Sequence, residues 1–228
     1  MAVSTDTRVD VLDELLDERW SCRAFLDTPV PAETLDRLLT TAQRSPSWCN
    51  TQPWQVTILT GQFLEAVRSE FVDYATSHSA APDLPFPERY SGKYLERRRE
   101  CAWQLYESVG IAQGDREASG KQALENFRFF GAPAVAVITT EADLGTYGAI
   151  DCGVYVGSFL LVAQSLGLAT IAQAALASHA PFLRERLGIP DHRKIVLGIS
   201  FGYPDRDHPA NGFRTTRAAV GSETAVLG

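Results

Sequence analysis

In the stretch Glu18–Phe25, ERWSCRAF, Arg19, Ser21 and Arg23 alternate along the chain. In an extended segment, residues two apart project to the same side, so these three side chains could converge on one point. Two guanidiniums and a hydroxyl are the donors that a cluster of anionic oxygens, such as a phosphate, requires. The planar arginine fork also stays charged at any relevant pH. A solvated helix C-terminus, where the dipole also favours arginine, accounts for the same triplet and stays open at this point. Arg214 and Arg217, in NGFRTTR near the other end, add positive charge only if the two segments meet.

A second group lies in SPSWCNTQPW, Ser45 to Trp54. It offers amides at Asn50 and Gln52, hydroxyls at Ser45, Ser47 and Thr51, and a tryptophan at each side. A flat heterocycle with alternating donors and acceptors would use such groups, with apolar surface against its faces. Other chemistries find less support. GISFG, Gly198 to Gly202, matches the pattern of a hydrolase nucleophile elbow, but Ser200 lies inside an apolar run and is followed by a turn, not a helix. No glycine-rich dinucleotide or triphosphate loop occurs. The four cysteines and four histidines are scattered, with neither disulfide-framework nor zinc spacing, and the thiols read as reduced and mostly core.

The elements that must position these groups read as follows. Val9, Leu12, Leu15, Leu16 and Trp20 mark one face of an opening helix, and Leu35, Leu38, Leu39 and Ala42 mark a second behind Pro31 and Glu33. WQVTILT, PAVAVITT and RKIVLGISFG are short, β-branched and read as strands. Helices are expected over 62–78, 88–109 and 117–130. A further helix over 147–168, apolar nearly all round, must be covered on every face, by the sheet and by another subunit. The class is α+β with a small central sheet. APDLPFPERYSGKY is either an ordinary connector or a mobile lid carrying Phe86, Tyr90 and Tyr94. The tail after Phe201 is too polar to pack alone and should wrap a partner or fray.

With 228 residues and 45% hydrophobic content, the chain can bury one full core as a single domain. A net charge of −7 without a basic stripe argues against nucleic acid. No run approaches the roughly 18 apolar residues that span a bilayer, and no leader pattern opens the chain, so a cytoplasmic protein is expected.

RWSCRAFLDTPVPAETLDRLLTTAQRSPSWCNTQPWQVTILTG resembles the N-terminal signature of the FMN-dependent nitroreductases. DCGVYVGSFLLVAQSLGLATIAQAAL resembles their central helix and following loop, and LGIPDHRKIVLGISFGYPD their last strand. YSGKYLERRRECAWQLYESVGI and RFFGAPAVAVI are most similar to the branch that holds 4-nitrobenzoate reductases. The resemblance implies a nitroreductase-like fold, with a mostly antiparallel sheet flanked by helices. It also implies an intertwined homodimer with FMN at the subunit interface, and a C-terminal extension (about 203–228) wrapping the partner. Carried over by position, Arg19, Trp20, Ser21 and Arg23 would hold the flavin phosphate and ribityl chain, completed by Arg217 and Arg214. Pro46, Ser47 and Asn50 would line the ring and ribityl region, Arg128 the pyrimidine edge, and the loop Ala172, Gln173, Ala174 and Ala175 the side near N5.

The implied activity is reduction of nitroaromatic or quinone-like compounds by NAD(P)H, in ping-pong hydride transfer through flavin N5, with no side chain as nucleophile. Trp48, standing where smaller residues are common, would shape the substrate pocket. The alternatives are an activated alkene or halophenol as substrate, or flavin binding without NAD(P)H turnover. Glu70, Tyr74 and Lys93 only faintly resemble the lid trio of dehalogenating relatives.

Overall fold

The computed structural model describes residues 5–227. The fold is organised by β2 (Ala134–Glu141), whose alternate side chains supply two separate cores. Ala134, Ala136 and Ile138 face one way, toward α6 (Gly145–Ser165) and α2 (Ala32–Ala42). Val135 and Val137 face the other way, toward α3 (Gly61–Ser77) and α8 (Ala180–Leu187). A strand covered on both faces reads as a continuous apolar run, which is what PAVAVITT is.

The sheet is antiparallel throughout, in the order β1-β2-β4-β3, where β1 is Gln55–Thr60, β3 Ala169–Gln173 and β4 Arg193–Gly202. The three expected strands form. The fourth, β3, forms where the sequence reads as a loop. It pairs with β4 from Ala169↔Gly202 to Gln173↔Gly198 and forms one edge of the sheet. The four-residue α7 (Ala174–Ala177) follows it directly. Gly198 and Gly202 are set by close packing, since a Cβ would run into Leu176 at the first and Pro133 at the second. Ser200 between them is fully buried and donates to Gln173 Oε1, so the G-x-S-x-G match is structural.

Helix ends differ from expectation where left-handed backbone stops or starts a helix. The long helix α4 (Gly92–Ser108) begins at Gly92, φ 50°, not at Glu88. The next, α5 (Arg116–Leu124), gives way to turns over 125–128, and Phe129 and Phe130, at φ 57° and 53°, lie outside it. The opening helix α1 (Thr5–Glu18) stops before Trp20 and leaves the arginine triplet extended. One expectation about bilayers needs correction. Ala142–Ser165 is long and apolar enough, by length and composition, to cross a membrane, with mean hydropathy 1.4. Its composition has a reason within the fold, because Cys152, Tyr155, Phe159 and Ala163 are buried against the sheet. The opposite face carries Tyr147, Ile150 and Val154, which are 59%, 52% and 41% exposed.

Candidate active site

Past α1, the chain runs beside the outer edge of β3, with Ser21 bridging Thr170 in parallel and Cys22 N donating to Thr170 O at 2.9 Å. That extended course delivers the expected convergence. Arg19, Trp20, Ser21, Arg23, Arg214 and Arg217 line one cleft of about 240 Å³. Among the described residues, none of its four arginines has a carboxylate within ion-pair distance, although Asp17 also lies on the wall. Burial, and then repulsion from Arg217, holds the Arg19 guanidinium below its usual value. Burial does the same to Arg23, and burial with repulsion from Arg206 to Arg214. The Trp20 indole N–H is buried without an acceptor among the described residues, and Arg214 stacks 4.1 Å over its ring. Positive charge without counter-charge, beside a donor without an acceptor, is the environment of an anion-binding cleft.

The tail is tied to this cleft by Asn211, which sequence reasoning missed. It is buried in a segment expected to wrap a partner or fray. Its Oδ1 accepts from Arg23 N at 2.7 Å, and its Nδ2 donates to Ala24 O at 2.9 Å and Asp205 O at 2.7 Å. This lock brings Arg214 and Arg217 to the arginine triplet. The only sequence signal was an Asn-Gly pair, which reads equally well as a turn.

The second group forms a tight turn. Cys49, Asn50 and Gln52 all have positive φ, at 50°, 56° and 46°. Ser47 Oγ accepts from Gln52 N at 2.9 Å, and Gln52 Nε2 donates to Asn50 Oδ1 at 3.2 Å. Pro46 and Asn50 are exposed, and the Asn50 side-chain NH2 has no acceptor among the described residues. Trp48 is 60% exposed and lies edge-on to Tyr147, with ring centroids 4.6 Å apart. The two rings, with Thr51 and Leu144, wall a pocket of about 290 Å³.

Within one chain these two groups do not meet. The turn enters β1 and the arginine segment flanks β3, the opposite edges of the sheet. Three strand spacings, about 14 Å or more, separate them.

The remaining expected residues divide. Ala172 closes β3 with Gln173, and Ala174 and Ala175 open α7. Ala172 and Ala174 are exposed, but Gln173 is buried and its side chain is committed to Ser200 and Asn126, so it positions rather than touches a ligand. Arg128 is held on the surface by Glu125 at 2.7 Å, away from the cleft. Arg23 also lines a neighbouring pocket of about 500 Å³ with Gln122, Glu125 and Phe130. Phe86, Tyr90 and Tyr94 are exposed, with Tyr90 beneath Arg98 and Tyr94 beside Lys93. Glu70, Tyr74 and Lys93 do not assemble, being occupied by Arg186, His78 and Glu223 respectively.

Residues 16–203 match the model of the nitroreductase family. A 4-nitrobenzoate reductase of Nocardioides sp. strain LMS-CY is 34% identical over 96% of this chain and 91% of that protein. A second 4-nitrobenzoate reductase, from Pseudomonas putida, is 30% identical over 100% of this chain and 99% of its own length. The FMN-dependent nitroreductase NfnB of Mycobacterium smegmatis, solved in complex with NADPH, superposes with a TM-score of 0.92 at 31% identity, covering 96% of this chain and 99% of that one. An antiparallel four-stranded α+β core, an anion cleft at one edge and a polar turn at the other thus coincide with similarity over nearly the whole length, and the chain belongs to the nitroreductase family.

Proposed function

We propose that this chain is an FMN-dependent NAD(P)H oxidoreductase that reduces nitroaromatic compounds, working as a cytoplasmic homodimer. The observation that carries the reading is the cleft of four arginines that, among the described residues, have no carboxylate partners, with Trp20 on its wall. A flavin phosphate fits it, supplying the negative charge that the cleft lacks. Bound there, FMN would supply hydride transfer between NAD(P)H and the substrate.

The residues have separate tasks. Arg19, Arg214 and Arg217 hold the phosphate, and Trp20 and Ser21 add neutral donors beside it. Arg23, whose guanidinium donates to Ser21 O and lies 5.3 Å from the Phe213 ring within the cleft, adds positive charge toward the phosphate and ribityl chain. Arg128 would have to leave Glu125 to join it. Ala172 and Ala174 have no side chain beyond Cβ and leave the backbone beside the ring open.

Asn50 belongs to the other half of the site. Its turn lies across the sheet from the cleft of its own chain, so a second copy must bring the halves together. The exposed face of α6 supports that pairing: Tyr147, Ile150 and Val154 are apolar, and Gly153 and Gly157 open on empty space, which lets another helix approach closely. Pro46, Ser47 and Asn50 of one copy would then line the ring held by the other, with the tail wrapping between them. Trp48, 60% exposed and braced edge-on by Tyr147, gives that half an aromatic face on which a nitroarene stacks.

An anaerobic visible spectrum of the FMN-reconstituted protein, titrated with NADPH or NADH and then with 4-nitrobenzoate, tests the reading. Loss of the flavin bands and their stoichiometric return are expected. Flavin that binds but is never reduced would refute the reductase.

A further inference from the structure

The geometry points to Asp151 as the residue that sets the shape of the turn bearing Asn50. This assignment rests on the flavin reading above. Non-glycine residues seldom take positive φ, yet Cys49, Asn50 and Gln52 all do within four positions. Such a turn persists only where its surroundings over-determine it.

Much of the restraint comes from α6. Both carboxylate oxygens of Asp151 accept from Trp48 N, at 3.1 and 3.2 Å, across 103 residues of sequence. One helical turn earlier, Tyr147 packs edge-on against the ring of the same tryptophan. A rigid core helix thus holds Trp48 by its backbone and by its side chain, immediately before the left-handed pair begins. Asp151 is only 8% exposed, and among the described residues it makes no ion pair. A carboxylate buried for one backbone N–H is costly unless that N–H has to be fixed. Held this way, the turn leaves Asn50 exposed, its Oδ1 accepting from Gln52 Nε2 and its side-chain NH2 without an acceptor among the described residues. The role is positioning: Asp151 acts on the cofactor through Trp48 and Asn50, not by touching it.

The test is FMN affinity of the apoprotein, read by quenching of flavin fluorescence, in Asp151→Ala, Asp151→Asn, Asn50→Ala and the Asp151→Ala/Asn50→Ala double variant. Asp151→Ala should weaken FMN binding about tenfold. Asp151→Asn, which keeps one acceptor for Trp48 N, should restore it to within about threefold of wild type. In the Asn50→Ala background, Asp151→Ala should add less than about twofold, since both changes remove the same contact. Wild-type affinity in Asp151→Ala, with affinity lost in Asn50→Ala, would overturn the positioning role and leave the flavin reading intact. Full additivity would overturn it too, by placing Asp151 on a separate route. Unchanged affinity in Asn50→Ala would remove the flavin role of the turn itself. Should the alanine variant fail to fold, Asp151→Ser, polar but too short to reach Trp48 N, carries the same comparison against Asp151→Asn.

Discussion

Arg19→Met should have opposite effects on the protein with and without FMN. Without cofactor, Arg19 is a part-buried cation facing Arg217, and both influences disfavour its charge. Methionine keeps much of the apolar stem and removes the guanidinium. Relief of a like-charge contact at a half-exposed cleft is of the size of an exposed ion pair, about 0.2–1 kcal/mol. For a domain of this length that is an increase of roughly 0.4–4 °C in apo Tm. With cofactor, the variant loses a hydrogen bond to a charged group, about 1.5–3 kcal/mol. At 1.4 kcal/mol per factor of ten, FMN binding weakens roughly 10- to 150-fold. The assay is paired: thermal unfolding of the apoprotein at fixed protein concentration, and FMN titration at two salt concentrations. Wild-type binding should weaken with salt more steeply than binding to the variant, because one charge-assisted contact is gone. An apo Tm that falls, together with an FMN affinity within twofold of wild type, would refute the reasoning and move the phosphate elsewhere.

Two further outcomes follow from other parts of the structure. Val154→Arg places a charge on the exposed apolar face of α6 and should yield monomers by analytical ultracentrifugation that no longer retain FMN; a variant still dimeric and yellow would show that this face is not the interface. Burial pushes the thiols of Cys22 and Cys152 up to about 11. The unfolded chain therefore releases these protons first, so their contribution is complete below about pH 8.5 and is lost as pH rises toward 11. Cys152→Ala should flatten the decline in stability between those values in urea titrations, and an unchanged slope would exclude the thiol as its source.

Both halves of the candidate site were legible because their chemistry is local. Arg19, Ser21 and Arg23 needed only an extended backbone to share a side, and the end of α1 at Glu18 provides it. The turn was legible because amides, hydroxyls and prolines leave the backbone few alternatives there. What escaped depends on distant neighbours. ATIAQ is too short and weakly alternating to declare itself a strand, and becomes β3 through its pairing with β4. The four residues of α7 and eight of α8 are below the length at which a helix is stable alone, and they form against the core through Leu176, Phe182 and Leu183. Asp151 looked like one acid in an apolar helix, and only the fold shows that Trp48 N comes to it.

The separation of the halves bears on how substrate choice can change. The anion cleft is built from α1, the β3 edge and the tail, with Asn211 locking them together. The turn is built from β1 and α6, and it has no residue in common with that cleft. In the proposed dimer each site takes its charge from one copy and its aromatic shelf from the other. A change at Trp48 or Tyr147 therefore reshapes the surface offered to the substrate and leaves the arginine cleft of its own chain, at the other edge of the sheet, as it is. Asp151 is where this independence ends. Through the same tryptophan it holds both the shelf and the backbone that presents Asn50, so substitutions of the Trp48 ring are tolerated only while its N–H stays on that carboxylate.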